Sequence, residues 1–95
     1  MDRKQAYQDK LQAQLDAWKA EIAKLRAKAE KAQADARLTY MDEIDELRAH
    51  QKTAETRLKE FQHARGEAWK DMRSGVETAW EEMGDAMKRA WKRFS

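Results

Sequence analysis

The sequence predicts an all-α protein, an antiparallel helical hairpin of one long and one short helix that oligomerises into a helical bundle. Its 95 residues include three glycines and no proline, so it lacks the turn-forming residues that multi-stranded folds need. Apolar residues in the first two thirds recur in alternating steps of four and three, which is the heptad spacing of coiled coils. The last third repeats every 11 residues instead. We therefore expect a single coiled-coil domain over residues 1–95.

The first helix is predicted over about residues 3–64. Its apolar seam keeps the heptad spacing as far as Ala36, where two successive steps of four, to Tyr40 and then to Ile44, indicate a stutter. Residues 34–46 contain neither glycine nor proline, so we expect the helix to continue through the stutter. The seam consists of Leu11, Leu15, Trp18, Ile22, Leu25, Ala29, Ala32 and Ala36.

A turn is predicted at about residues 65–67, around Gly66. Glycine just past a helix end commonly adopts the left-handed conformation, and Arg65 suits the negative end of a helix dipole. Folding the chain here also brings segments of opposite charge together, which favours the antiparallel arrangement. The segments expected to meet are the tail residues Lys88, Arg89, Lys92 and Arg93 and the acidic residues Asp42, Glu43, Asp45 and Glu46.

The second helix is predicted over about residues 67–94. The pair Ala-Trp recurs at 68–69, 79–80 and 90–91, and a period of 11 gives a nearly straight apolar stripe along a helix. Charged residues occupy the rest of the helix surface, which makes the helix amphipathic. The stripe, expected to form the bundle core, consists of Trp69, Met72, Val76, Trp80, Met83, Met87, Trp91 and Phe94.

The unequal lengths of the two helices predict self-association. A first helix of about 60 residues would extend far beyond its shorter partner, and the seam on its overhanging part would face water in a monomer. We therefore expect the seam from Leu11 to Ala36 to form an interface between copies of the chain. A different coiled-coil protein is the alternative partner.

The chain resembles a set of small bacterial coiled-coil proteins over nearly its whole length. The resemblance rests on Lys10–Trp18, which reads K-L-x-A-Q-L-D-x-W, and on the turn Gly66-Glu67-Ala68-Trp69. It implies a long helix rich in Lys, Ala and Glu followed by a Trp-rich final helix, and it implies no biochemical activity. Residues 68–94 also resemble the 11-residue lipid-binding repeats of exchangeable apolipoproteins.

Residue types do not favour catalysis. The chain has no cysteine, and its only serines, Ser74 and Ser95, are not accompanied by a nucleophile-base arrangement. Glu60 and His63 have the spacing of a di-iron ligand pair, but they lie on the opposite side of the helix from the apolar Phe61. We expect no enzyme activity, no metal site and no cofactor.

Charge and hydropathy limit the remaining partners. A net charge of +2 is small, and the cations of residues 19–37 alternate with carboxylates, so we do not expect nucleic-acid binding. The charged start of the chain does not resemble a signal peptide, and no apolar run approaches membrane-spanning length, which predicts a cytoplasmic protein.

The sequence therefore predicts a non-catalytic, self-assembling scaffold or protein-interaction module. The alternative is peripheral binding to a lipid surface through helix 68–94, whose last turns place aromatic residues among basic ones. The lipid contacts in that alternative are Lys88, Arg89, Trp91, Lys92 and Arg93.

Overall fold

The computed structural model describes residues 3–94, which form three α-helices joined by two short turns. Helix α1 spans Arg3–Glu30, α2 spans Ala34–His63 and α3 spans Ala68–Phe94. The described residues contain no β-strand. The prediction of an all-α protein is therefore confirmed.

The three helices run up, down and up along an elongated molecule of 52 × 20 × 18 Å. Lys4, at the start of α1, contacts the end of α2, and Lys19 pairs with Glu55 near the middle of both helices. Arg93, at the end of α3, pairs with Glu43 near the start of α2. Helix α2 is therefore antiparallel to both of its neighbours.

The prediction of one continuous helix over residues 3–64 is wrong at residues 31–33. The helix ends at Glu30 and begins again at Ala34, so α1 folds back along α2 and α3. Continuity through residues 34–46, across the stutter, is confirmed. Burial of the apolar face of α1 outweighs the helix propensity of the three connecting residues, because propensity differences are tenths of a kcal/mol and each buried Leu contributes roughly 1.5–3 kcal/mol.

The second turn lies where Gly66 predicted it. Helix α2 ends at His63. The N–H of Ala64, the next residue, donates a hydrogen bond to the carbonyl of Phe61 at 3.3 Å. Gly66 has a φ of 57°, the left-handed region that glycine adopts without strain. Ala68 then begins α3.

The core has two clusters, one towards each end of the bundle. Trp18 packs against both clusters and joins them. No polar or charged residue among residues 3–94 is buried. The cluster near the first turn contains Ile22, Leu25, Ala29, Ile44, Leu47, Met83, Ala86, Met87, Ala90 and Phe94. The cluster near the second turn contains Leu11, Leu15, Ala54, Leu58, Phe61, Val76, Ala79 and Trp80.

Candidate functional site

The seam of α1 is covered by the other two helices of the same chain. The prediction that no helix of the chain itself can reach this seam is therefore wrong, because α1 does not overhang. Trp18, Ala32 and Ala36 are half-buried. The fully buried seam residues are Leu11, Leu15, Ile22, Leu25 and Ala29, each at most 4% exposed.

The connection between α1 and α2 is Lys31-Ala32-Gln33. The N–H of Lys31 donates to the carbonyl of Lys28 at 3.2 Å, and that of Ala32 donates to Ala29 at 3.1 Å, so the helix tightens before it ends. Gln33 precedes α2 with a φ of −64° and a ψ of 156°, and its side chain makes no capping hydrogen bond. This connection contains no glycine, no proline and no capping side chain at the start of α2.

Polar contacts hold α1 against α2 near the middle of the two helices and at the end of the bundle opposite the connection. Lys19 Nζ lies 2.9 Å from Glu55 Oε1. The hydrogen bonds that Glu55 accepts from Lys19 and Gln51 lower the pKa of its carboxyl. At the far end of the pair, Lys4 Nζ donates to the carbonyls of Gln62 and Ala64 at 3.2 and 2.8 Å. These contacts fix the register of α1 on α2.

Helix α1 meets α3 through aromatic residues. The ring centroids of Trp18 and Trp80 are 6.0 Å apart. The Tyr7 hydroxyl donates to Glu77 Oε1 at 3.2 Å, and Arg73 Nε donates to the same oxygen at 3.0 Å. Burial, followed by the charge of Glu77, raises the pKa of Tyr7.

Tyr7 and Lys4 are not among the site residues predicted from the sequence. Tyr7 precedes Leu11 by four residues, so it lies on the same side of the helix as the seam although it is one residue out of the heptad spacing. Lys4 carried no comparable signal, because its contact with α2 arises only when the chain folds back.

The apolar stripe of α3 varies in burial along its length. Trp69 and Trp91 are half-buried, and Met72 is 36% exposed. Met72 belongs to the first of the three 11-residue repeats, which lies at the end of the bundle beside the turn. The repeats farther along are covered by both other helices. The buried stripe residues are Val76, Trp80, Met83, Met87 and Phe94.

The basic tail and the acidic residues of α2 meet as predicted. Arg93 pairs with Glu43, and Arg89 Nη2 lies 4.0 Å from Glu46 Oε1. Lys88 and Lys92 are exposed. Two of the residues that the lipid alternative needs, Arg89 and Arg93, thus contact α2.

The described residues contain neither a side-chain cluster that could bind a metal ion nor a helix that could span a membrane. Glu60 and His63 are exposed on the outer face of α2, while Phe61 is fully buried. No three His, Asp or Glu residues within 3–94 are grouped so that they could hold a metal ion. None of the three described helices combines the length and hydrophobicity needed to cross a bilayer.

No protein-family model, curated protein or solved structure matches the chain.

Proposed function

We propose that the chain is a non-catalytic helical module that self-assembles by exchanging α1 between two copies. In the assembled state α1 and α2 are one continuous helix, and α1 packs on α2 and α3 of the other copy. The observation that carries the proposal is the α1–α2 connection, in which three helix-forming residues break an otherwise regular helix.

The connection favours exchange on local grounds. Ala, Lys and Gln are among the residues most favourable to helix, so Lys31, Ala32 and Gln33 gain stability when the helix is continuous. The bend leaves the start of α2 without a capping side chain. Straightening the connection removes two helix ends, together with the unpaired backbone groups that such ends carry.

The exchanged dimer needs no new apolar surface. Each α1 uses the same buried face on the partner's α2 and α3 that it uses within its own chain, so core contacts are conserved. The continuous helix over residues 3–63 would be roughly 90 Å long. Two such helices, each with its α3, form an elongated scaffold.

The surface of α2 and α3 that α1 covers also bears on the two other partners that the sequence suggests. A helix of a different coiled-coil protein that carries the same seam would replace α1 on α2 and α3. Lipid binding through α3 requires more, because five of the eight stripe residues are buried and two of its tail arginines contact α2. Opening the bundle onto a lipid surface would give up these contacts, so protein assembly is the better-supported function.

Crosslinking tests the exchange directly, because the chain has no cysteine of its own. We expect Lys19→Cys with Glu55→Cys, joined by a short bis-maleimide, to give a covalent dimer from the dimer fraction and an intrachain link from the monomer fraction. Glu43→Cys with Arg93→Cys is the matched control, since α2 and α3 stay in one chain and the link remains intrachain in both fractions. Only intrachain links at 19 and 55 in the dimer, or no dimer at any concentration, would refute the exchange.

A proline in the connection should abolish assembly. Gln33 already has a φ of −64°, which proline adopts, so Gln33→Pro suits the bent form. In a continuous helix the same proline costs about 3 kcal/mol or more. We expect light scattering to show a monomer for Gln33→Pro, while Gln33→Ala, which removes the same side chain, dimerises at least as well as the unmodified chain. Equal dimerisation of both variants would contradict the proposal.

A further inference from the structure

A groove of about 940 Å³ lies at the end of the bundle where α1 begins and α3 leaves the second turn. Its volume is within the range of small-molecule sites. It lies at the opposite end of the bundle from the connection that the proposed exchange uses. Its charged and aromatic lining includes the cations Arg3, Lys4, Lys70 and Arg73 and the aromatic residues Tyr7 and Trp69.

The cations of this groove come from two helices that both line it. Arg3 and Lys4 belong to α1, whereas Lys70 and Arg73 belong to the first turns of α3. Glu67 is a carboxylate that also lines the groove. Among the described residues that line the groove, four cations face one carboxylate, Glu67, and a second carboxylate, Glu77, pairs with Arg73 beside it at 3.0 Å. Cations thus still outnumber carboxylates by four to two, although the whole chain carries a net charge of only +2.

Aromatic side chains, the turn and the carboxylate of Glu77 hold three of these cations in place. Arg73 lies 5.2 Å from the ring centroid of Tyr7, and Lys70 lies 5.8 Å from that of Trp69. Lys4 is fixed by the two main-chain carbonyls at the end of α2. Cations held in advance lose less conformational entropy when they bind a ligand, and the half-buried rings reduce solvent screening around them.

We infer that this groove binds a short oligophosphate anion. A single phosphate group would reach only part of a groove of this volume, whereas a chain of two or three phosphates presents charge to both walls. Arginine matches phosphate oxygens with paired N–H donors, and lysine neutralises them as a point charge. Lys70 pairs with Glu67 at 2.5 Å, so the ligand competes with this carboxylate for the ammonium group.

Titration with inorganic tripolyphosphate tests the inference, measured by calorimetry on the full chain. We expect saturable one-to-one binding, weakened about tenfold by Arg3→Gln or Lys70→Gln, each of which removes one charge-assisted contact. Glu67→Gln should instead tighten binding about threefold by releasing Lys70. The controls Lys24→Gln and Glu81→Gln change the net charge equally at exposed sites outside the groove, and they should leave the affinity unchanged.

Two further measurements distinguish binding of the anion in this groove from its nonspecific attraction to basic residues elsewhere on the surface. In NMR spectra, tripolyphosphate should shift the ring signals of Tyr7 and Trp69 and leave those of Trp91, at the other end of the bundle, in place. Adenosine triphosphate should bind about as tightly as tripolyphosphate if the phosphates alone are recognised, and more tightly if the rings also contact the base. Absence of saturable binding, or equal losses in the control variants, would overturn the inference.

Discussion

The two turns of this bundle perform the same task with different chemistry. The turn at residues 64–67 contains a glycine in the left-handed region, and Lys4 donates to the carbonyl of Ala64 in this turn and to that of Gln62 in the last turn of α2. The turn at residues 31–33 contains only good helix formers, and it receives a single side-chain contact, from Arg37 to the carbonyl of Ala32 at 3.2 Å. The second turn is thus specified locally, and the first is imposed by the packing of α1.

This difference separates the stable part of the fold from the adaptable part. A turn that its own residues specify persists in any arrangement of the helices, so α2 and α3 behave as a hairpin. A turn that exists because α1 must bury its seam is lost as soon as another surface buries the seam equally well. The contrast between the turns therefore underlies the proposed exchange of α1.

The largest expected effect concerns the side chains beneath the turns. Phe61 is fully buried at the second turn and contacts the rings of Tyr7 and Trp69. Phe61→Ala should lower the free energy of unfolding by about 3–5 kcal/mol, since it removes buried surface and leaves a cavity. Tyr40, near the first turn, is half-buried and stacks on Phe94, and Tyr40→Ala should cost about 1–2 kcal/mol. Urea unfolding followed by circular dichroism measures both, and the opposite order would break the comparison.

Substitutions that test the backbone conformation of each turn should have the next largest effect on the stability of the fold. Gly66→Val places a branched side chain at a φ of 57° and should destabilise the fold by about 2 kcal/mol. Steric contact is not the reason, because a Cβ at Gly66 would meet no other atom within 4 Å. Gln33→Val occupies an extended conformation open to any residue, and it should change stability by less than about 0.5 kcal/mol. Equal losses in thermal unfolding would show that both turns are locally specified.

The same contrast explains which parts of the fold the sequence predicted. Gly66 is a local signal, and the charges of Glu43, Glu46, Arg89 and Arg93 report the orientation of α2 and α3, so this part of the fold was predictable. The break at residues 31–33 was not, because neither glycine nor proline marks it and the heptad spacing runs across it unchanged. Periodicity identifies an apolar face but does not say whether the chain folds back to cover that face itself.

The cations of the groove between the starts of α1 and α3 could not be grouped from the sequence for a related reason. Its cations come from residues 3 and 4 and from residues 70 and 73, which are separated by two helices. They meet only because α1 returns to the second turn, and that return depends on the unmarked break. The two aromatic residues of the groove were partly predictable, since Tyr7 lies one helical turn before the seam and Trp69 belongs to the first 11-residue repeat.

Removing the side-chain hydrogen bonds made to each turn should lower the free energy of unfolding by less than the most destabilising substitutions above. Lys4→Met keeps most of the aliphatic stem and removes the ammonium group that donates to the carbonyls of Gln62 and Ala64. We expect a loss of about 1 kcal/mol. Arg37→Met removes one exposed hydrogen bond at the first turn and should cost at most about 0.5 kcal/mol. Hydrogen exchange of the amides in the last turn of α2 should accelerate in Lys4→Met alone, and faster exchange there in Arg37→Met would contradict this assignment.

The smallest effect concerns the ion pair that holds α1 on α2 in place of a specified turn. Lys19 lowers the pKa of Glu55 in the folded state, so the pair stabilises the fold above the ordinary pKa of a carboxyl group. This stabilisation is lost as the pH falls through the folded-state pKa. Because both side chains are about 40% exposed, Glu55→Gln should cost no more than about 0.5 kcal/mol at neutral pH.

The difference between Glu55→Gln and the unmodified chain should therefore shrink as the pH is lowered, when Glu55 becomes neutral in both folded and unfolded states. Urea unfolding at several pH values measures this difference. Glu82→Gln, at an exposed position on α3 away from the α1–α2 contact, is the control and should give a smaller difference at neutral pH. A Glu55→Gln difference that stayed constant down to acid pH would indicate that the carboxylate acts through packing rather than charge. In that case α1 would be held on α2 by the hydrogen bonds of Lys4 and by its apolar seam, the same face that the exchanged dimer conserves.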